Sequence, residues 1–122
     1  MRSFIVASVI FLLTVVLIIV NSIYVIKKTD TLLALCSEID NQTIGTAAAP
    51  IETLLSEWQR CRDKLSFSIS HSEIDRAESA LYSLTEEYLA GNQAEFKVQL
   101  SVFRNALTHI ADKQKFSIYN IF

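Results

Sequence analysis

The sequence predicts an all-α protein: an N-terminal transmembrane helix followed by a small antiparallel helical bundle, built from an α-hairpin plus a third helix. Three observations carry that prediction. Apolar residues make up 51% of the 122 but crowd one end, where seventeen of those from Phe4 to Ile26 are Phe, Ile, Leu or Val and none is charged. Beyond that stretch, apolar residues recur every three or four positions, the period of a helix with one buried face. Only two Gly and one Pro occur, too few for a turn-rich β-sandwich or a phosphate-cradling loop.

The first element is the anchor. Arg2 and the Lys27-Lys28 pair bracket the apolar run. As a helix, Phe4 to Ile26 extends about 34 Å at ~1.5 Å per residue, enough to cross ~30 Å of hydrocarbon with some tilt. Its aliphatic and Phe side chains favour insertion by about 5 kcal/mol or more. The competing reading is a cleaved signal peptide with Val20-Asn21-Ser22 as the cleavage site. Against it, the run exceeds the ~7–15 residues of a signal core, and the chain is apolar again at Ile23. A lipoprotein would need a small residue before Cys36, where Leu35 stands.

Residues 1–28 are therefore read as an uncleaved anchor that meets the lipid bilayer through residues 4–26, and residues 29–122 as a helical domain. Arg2 with the amino terminus balances Lys27 and Lys28, so lysine and arginine bias barely sets the orientation. A three-residue tail before the run has the shape of a signal anchor. The expected location is a single-pass protein of the cell membrane with its C-terminal domain extracytoplasmic.

Leu32, Cys36 and Ile39 continue a stripe out of the anchor, and loops are expected near 41–49 and 90–92. Pro50 suits the first position of a new helix, which Ile51, Leu55, Trp58 and Leu65 continue at helical spacing. The phase slips between Ser66 and Ser72, where Ser70 with Glu73 or Ser72 with Asp75 forms a capping box for a fresh helix. Ile74, Ala77, Leu81, Leu84 and Tyr88 follow. At Ala90-Gly91-Asn92, Gly91 suits a left-handed cap, and Asn92 with Glu95 starts the next helix. Phe96, Leu100, Phe103, Leu107 and Ile110 complete it. Helices joined by so short a loop pack antiparallel, so residues 74–89 and 96–110 form the hairpin.

Composition excludes some functions. Residues 29–122 carry all 13 acids against 8 of the 11 bases, a net charge of −5 with His neutral. Nucleic acid, which needs a basic footprint, is not an expected partner. Measured from Gly91, His71 and His109 lie at similar heights on the two hairpin helices, with Asp75 and Asp112 nearby. These four are candidate metal ligands, although neither helix has the Glu-x-x-His or His-x-x-x-His spacing of bundle sites; hydrogen bonds and capping at the bundle end are the alternative. Cys36 and Cys61 are a possible disulfide, or two buried thiols. Ser70, His71 and Asp75 on one helix cannot converge as a catalytic triad. Neither an enzyme nor a cofactor is expected.

Trp58 and Tyr88 are expected in the core, and Tyr82 outside it. The tail residues Asn120, Ile121 and Phe122 either fold back onto the bundle or dock into a partner, because two large apolar groups are costly to leave in water.

Trp58, His71-Ser72-Glu73-Ile74-Asp75, His109-Ile110-Ala111-Asp112 and the closing Ser117-Ile118-Tyr119-Asn120-Ile121-Phe122 together resemble one family. It is the small bacterial membrane-anchored family known as domain of unknown function 4363. Lys113 and Lys115 depart from its pattern, standing where acidic residues are expected. The resemblance implies a membrane location in spore-forming and related Gram-positive bacteria and an accessory role, but no catalytic or metal residues. The expected function is a non-enzymatic membrane protein that binds another membrane or envelope protein or itself; the alternative is an extracytoplasmic sensor or metal- or ligand-binding bundle.

Overall fold

The computed structural model describes residues 1–41 and 48–121, without the side chains of residues 48, 117, 118, 120 and 121. Four helices make up the described elements: α1 (Arg2–Asp40), α2 (Ala48–Leu65), α3 (His71–Ala90) and α4 (Gln93–Ile121). No strand occurs among the described residues.

Each helix buries a seam with alternating spacings of three and four. On α1 it is Ser22, Val25, Thr29, Leu32, Cys36 and Ile39. On α2 it is Ile51, Leu54, Trp58, Cys61 and Leu65. Ile74, Ala77, Leu81 and Leu84 form it on α3, and Phe96, Leu100, Phe103, Leu107, Ile110 and Gln114 on α4. A period near 3.5 keeps every seam pointed at the bundle axis, as in coiled-coil-like packing. Consecutive helices are neighbours and α4 returns beside α1, which gives an up-down-up-down bundle. Across its middle, Trp58 of α2 and Phe103 of α4 meet edge to face, with centroids 5.9 Å apart and planes at 77°.

The helix that carries the apolar N-terminal segment is part of this bundle. The sequence suggests a hairpin and a third helix below a separate membrane segment, with a boundary at residues 28 and 29. In the structure that boundary falls inside one 39-residue helix, whose lower half supplies a fourth wall. The reason lies in the seam: Ser22, Val25 and Thr29 extend Leu32, Cys36 and Ile39 upward at the same spacing. Thr29 is compatible with burial because its hydroxyl donates to the Val25 carbonyl at 2.7 Å.

The caps follow the expected chemistry. Ser70 is extended, and its hydroxyl accepts from Glu73 N–H at 3.4 Å, opening α3. Gly91, at φ 72°, closes α3 with N–H bonds from Gly91 to Tyr88 and from Asn92 to Glu87, a Schellman arrangement. The Asn92 side chain then accepts from Glu95 N–H at 3.3 Å to start α4. Helix α2 begins at Ala48 rather than Pro50. Proline in the first turn lacks only an N–H that would have no partner inside the helix.

The two hairpin helices differ in length. Helix α4 has 29 residues and α3 has 20. They start level at the 91–92 turn, so the last nine residues of α4 overhang α3 by about 13 Å.

No heavy atom lies within 4 Å of where a Gly91 Cβ would stand, so a side chain there meets only the backbone penalty of a left-handed residue. Gly91→Ala should lower unfolding free energy by about 1 kcal/mol, and Gly91→Asn by less. Denaturant titration of the full-length protein in mild detergent measures both.

Candidate functional site

Chemistry-bearing side chains gather at the end of the bundle nearest the apolar segment. Glu73, in the first turn of α3, has two partners from α4: Lys113 Nζ at 2.7 Å and His109 Nε2 at 3.3 Å. Residues 109 and 113 are one turn apart on α4, so both reach the same carboxylate. The His71 and His109 helices do face each other, but Glu73 rather than Asp75 occupies the position between them. His71, Asp75, His109 and Asp112 are all exposed. Among the described residues, no group of three or more His, Cys, Asp or Glu is placed to hold a metal ion. Lys113 supplies the cation that this carboxylate draws.

The possible disulfide is not formed. Cys36 and Cys61 are free and buried. Cys61 lies in the field of Lys28, while Cys36 lies in that of Arg104, whose guanidinium also reaches Ser37 and Asp40 near the other end of α1. Eight residues of helix separate Lys28 from Cys36, on the order of 12 Å, whereas a disulfide needs Cα atoms within ~7 Å. Burial pushes the Cys36 thiol up to about 12, with Arg104 opposing. Burial also raises the Cys61 thiol, with Lys28 the largest opposing influence.

Where the apolar segment enters the bundle, Ser22 Oγ donates to Gln114 Oε1 at 3.1 Å, and both residues are buried. Two residues further along α1, Lys28 and Lys64 approach the Tyr24 ring at 5.9 and 5.8 Å from its centroid. That is cation–π range. An open groove of about 410 Å³ lies alongside, lined by Leu17, Val20, Asn21, Tyr24, Lys64 and Phe67.

Helices α2 and α3 are held by a polar pair. The fully buried Trp58 donates through Nε1 to Glu78 Oε1 at 3.2 Å. Arg62 Nε stands 2.7 Å from the same oxygen, an ion pair whose geometry is not that of a hydrogen bond. Tyr82 is exposed as expected, whereas Tyr88 is only partly buried, at the edge of the core, where it packs on Phe96 at 6.0 Å. Sequence reasoning missed Glu73, Glu78 and Gln114. Gln114 alone was signalled, because it follows Ile110 by four on the α4 seam. Asn120, Ile121 and Phe122 lie outside the described side chains.

Residues 18–121 match the model of a family described as Domain of unknown function (DUF4363). The chain belongs to that family. The match starts within α1, four residues before Ser22, so it takes in the junction as well as the bundle. No curated protein and no solved structure matches the chain.

Two outcomes follow from these contacts. Gln114→Leu leaves the Ser22 hydroxyl buried without a partner and should destabilise by about 1–3 kcal/mol, whereas adding Ser22→Ala should restore part of the loss. A double-mutant cycle by denaturant titration measures the coupling. For Cys36, the thiol keeps its proton longer folded than unfolded, so stability holds below pH 9 and falls as pH rises toward 12. Unfolding titrations across that range should lose part of this alkaline slope in Cys36→Ala.

Proposed function

We propose that the chain is a non-enzymatic, single-pass protein of the bacterial cell membrane whose bundle acts as an accessory or interaction module. Its partner on this reading is another membrane or envelope protein, or a second copy, and the bundle lies on the extracytoplasmic side. One observation carries the reading. The apolar end of α1 is long enough to cross a membrane, with a mean hydropathy of 3.1 over 18 residues and none of that window buried. The same helix continues without a break into the bundle core. No flexible tether lies between them, so the bundle is held at one height and one rotation beside the membrane. That suits a subunit that docks onto something in the same membrane.

The sensor reading has weaker support, because His71, Asp75, His109 and Asp112 form no cluster. Purification of the tagged full-length protein from its native membrane in mild detergent, followed by mass spectrometry, tests the proposal. A stoichiometric membrane protein or a homo-oligomer is expected, with recovery reduced and helicity unchanged on deletion of Asn120 to Phe122. Isolation as a monomer across several detergents would sink it. In the same cells, a membrane-impermeant maleimide should reach Leu89→Cys; labelling only after lysis would place the bundle in the cytoplasm.

A further inference from the structure

The anchor-side end of the bundle presents large apolar side chains where a soluble domain has none to spare. Phe67, in the turn between α2 and α3, is 87% exposed; Phe116 and Tyr119, on the α4 overhang, are 65% and 79% exposed. These residues belong to separate elements but reach the same level. The grooves flanking Phe67 are bounded by Leu17, Asn21 and Gln114. Gln114 bonds to Ser22, and the overhang continues from there along the apolar part of α1.

The height of the bundle fixes the position of a bilayer. Burial on α1 begins at Ser22, leaving Arg2 to Asn21 for the membrane, 20 residues or about 30 Å of helix. The turn from Ser66 to Ser70 cannot enter hydrocarbon, because its irregular backbone would lose hydrogen-bonding partners. Its backbone therefore stands at headgroup level, and Phe67, beside Leu17, reaches one turn deeper. Aromatic residues are at home in that layer. Charge agrees. Lys64 lines the groove beside Phe67 and Lys115 adjoins Phe116 at this end, while Asp40, Glu86, Glu87 and Glu95 lie with Lys97 at the far end. Lysines beside an anionic lipid surface are attracted to it within a Debye length.

The geometry points to a second lipid contact: the anchor-side end of the bundle, through Phe67, Phe116 and Tyr119 with Lys64 and Lys115, is seated in the headgroup layer of an anionic membrane. The contact is continuous with the span, and it rests on the reading that α1 crosses that membrane. Phe67 and Tyr119 act as plugs on two sides of α1, so the bundle stands on the membrane at three points rather than hanging from one.

The test uses full-length protein in vesicles of equal parts phosphatidylcholine and phosphatidylglycerol. The environment-sensitive fluorophore NBD is attached at Phe67→Cys, Tyr119→Cys, Leu12→Cys or Leu89→Cys, one site at a time; Cys36 and Cys61 are buried and stay unlabelled at neutral pH. Doxyl-labelled lipids then quench whichever probes lie in the bilayer. Severalfold brighter, blue-shifted and quenched emission at 67 and 119, against none of these at 89, is the expected result. If 12 is quenched while 67 and 119 behave like 89, the seating is wrong and the span stands. Bright but unquenched emission at 67 and 119 means that protein covers them, and overturns the proposal equally. Absence of quenching at 12 removes both the span and the seating.

Discussion

Helix α1 joins an exposed apolar segment to a buried seam with one uninterrupted backbone. An apolar stretch that crosses a bilayer must stay helical, because lipid offers no partner for an open peptide group. The bundle in turn needs a fourth wall, and the same helix provides it from Ser22 to Ile39. The register between α1 and α4 then sets everything else. Arg104 fastens the far end through Asp40 at 3.6 Å and Ser37 at 3.5 Å, and Ser22 meets Gln114 at the near end. Sliding α4 by one turn would leave both polar sets unpaired.

The other two helices depend less on the apolar segment and more on each other. Trp58 fills the centre, and its indole N–H is satisfied by Glu78 from α3. That carboxylate also neutralises Arg62. A large aromatic, a carboxylate and a guanidinium so placed join α2 to α3 across a comparatively thin seam. At the anchor-side end, Glu73 does similar work between α3 and α4 through Lys113 and His109. Charged residues that look like solvated surface in one dimension thus pair helix to helix, and each pair stays partly exposed, where its desolvation is modest.

Local signals were legible and long-range ones were not. Gly91, Asn92 with Glu95, and Ser70 with Glu73 each announce a break in chain direction, because caps are decided within a few residues. The hairpin followed from them. The α2 stripe was misread at one point: Leu55 and Leu54 are both apolar, but only Leu54 is fully buried, and it shares its seam with Cys61. Adjacent leucines cannot be ranked until the neighbouring helices fix the axis. The fourth wall was hidden for another reason. Hydrophobicity all round a segment masks its buried side, and α1 has almost no amphipathic contrast along its length until Ser22 and Thr29 take seam positions. Of the candidate site, the packing of the His71 helix against the His109 helix was visible from counting around the turn. Glu73 as the partner of His109 and Lys113 was not, since a count gives heights but not which side chain points inward.

The pairing of first helix with last has a consequence for synthesis. Helix α1 is complete at Asp40, but its partner position Gln114 follows 74 residues later. At about 5–20 residues per second this interval lasts on the order of 4–15 s. Throughout it, the face from Ser22 to Ile39 can be covered only by α2, so half of the seam stands open while α3 and α4 are being made. The hairpin can close on itself as soon as it emerges, and docking it onto α1 is then the last step. A nascent chain is thus most exposed to misassociation just before the final helix is released.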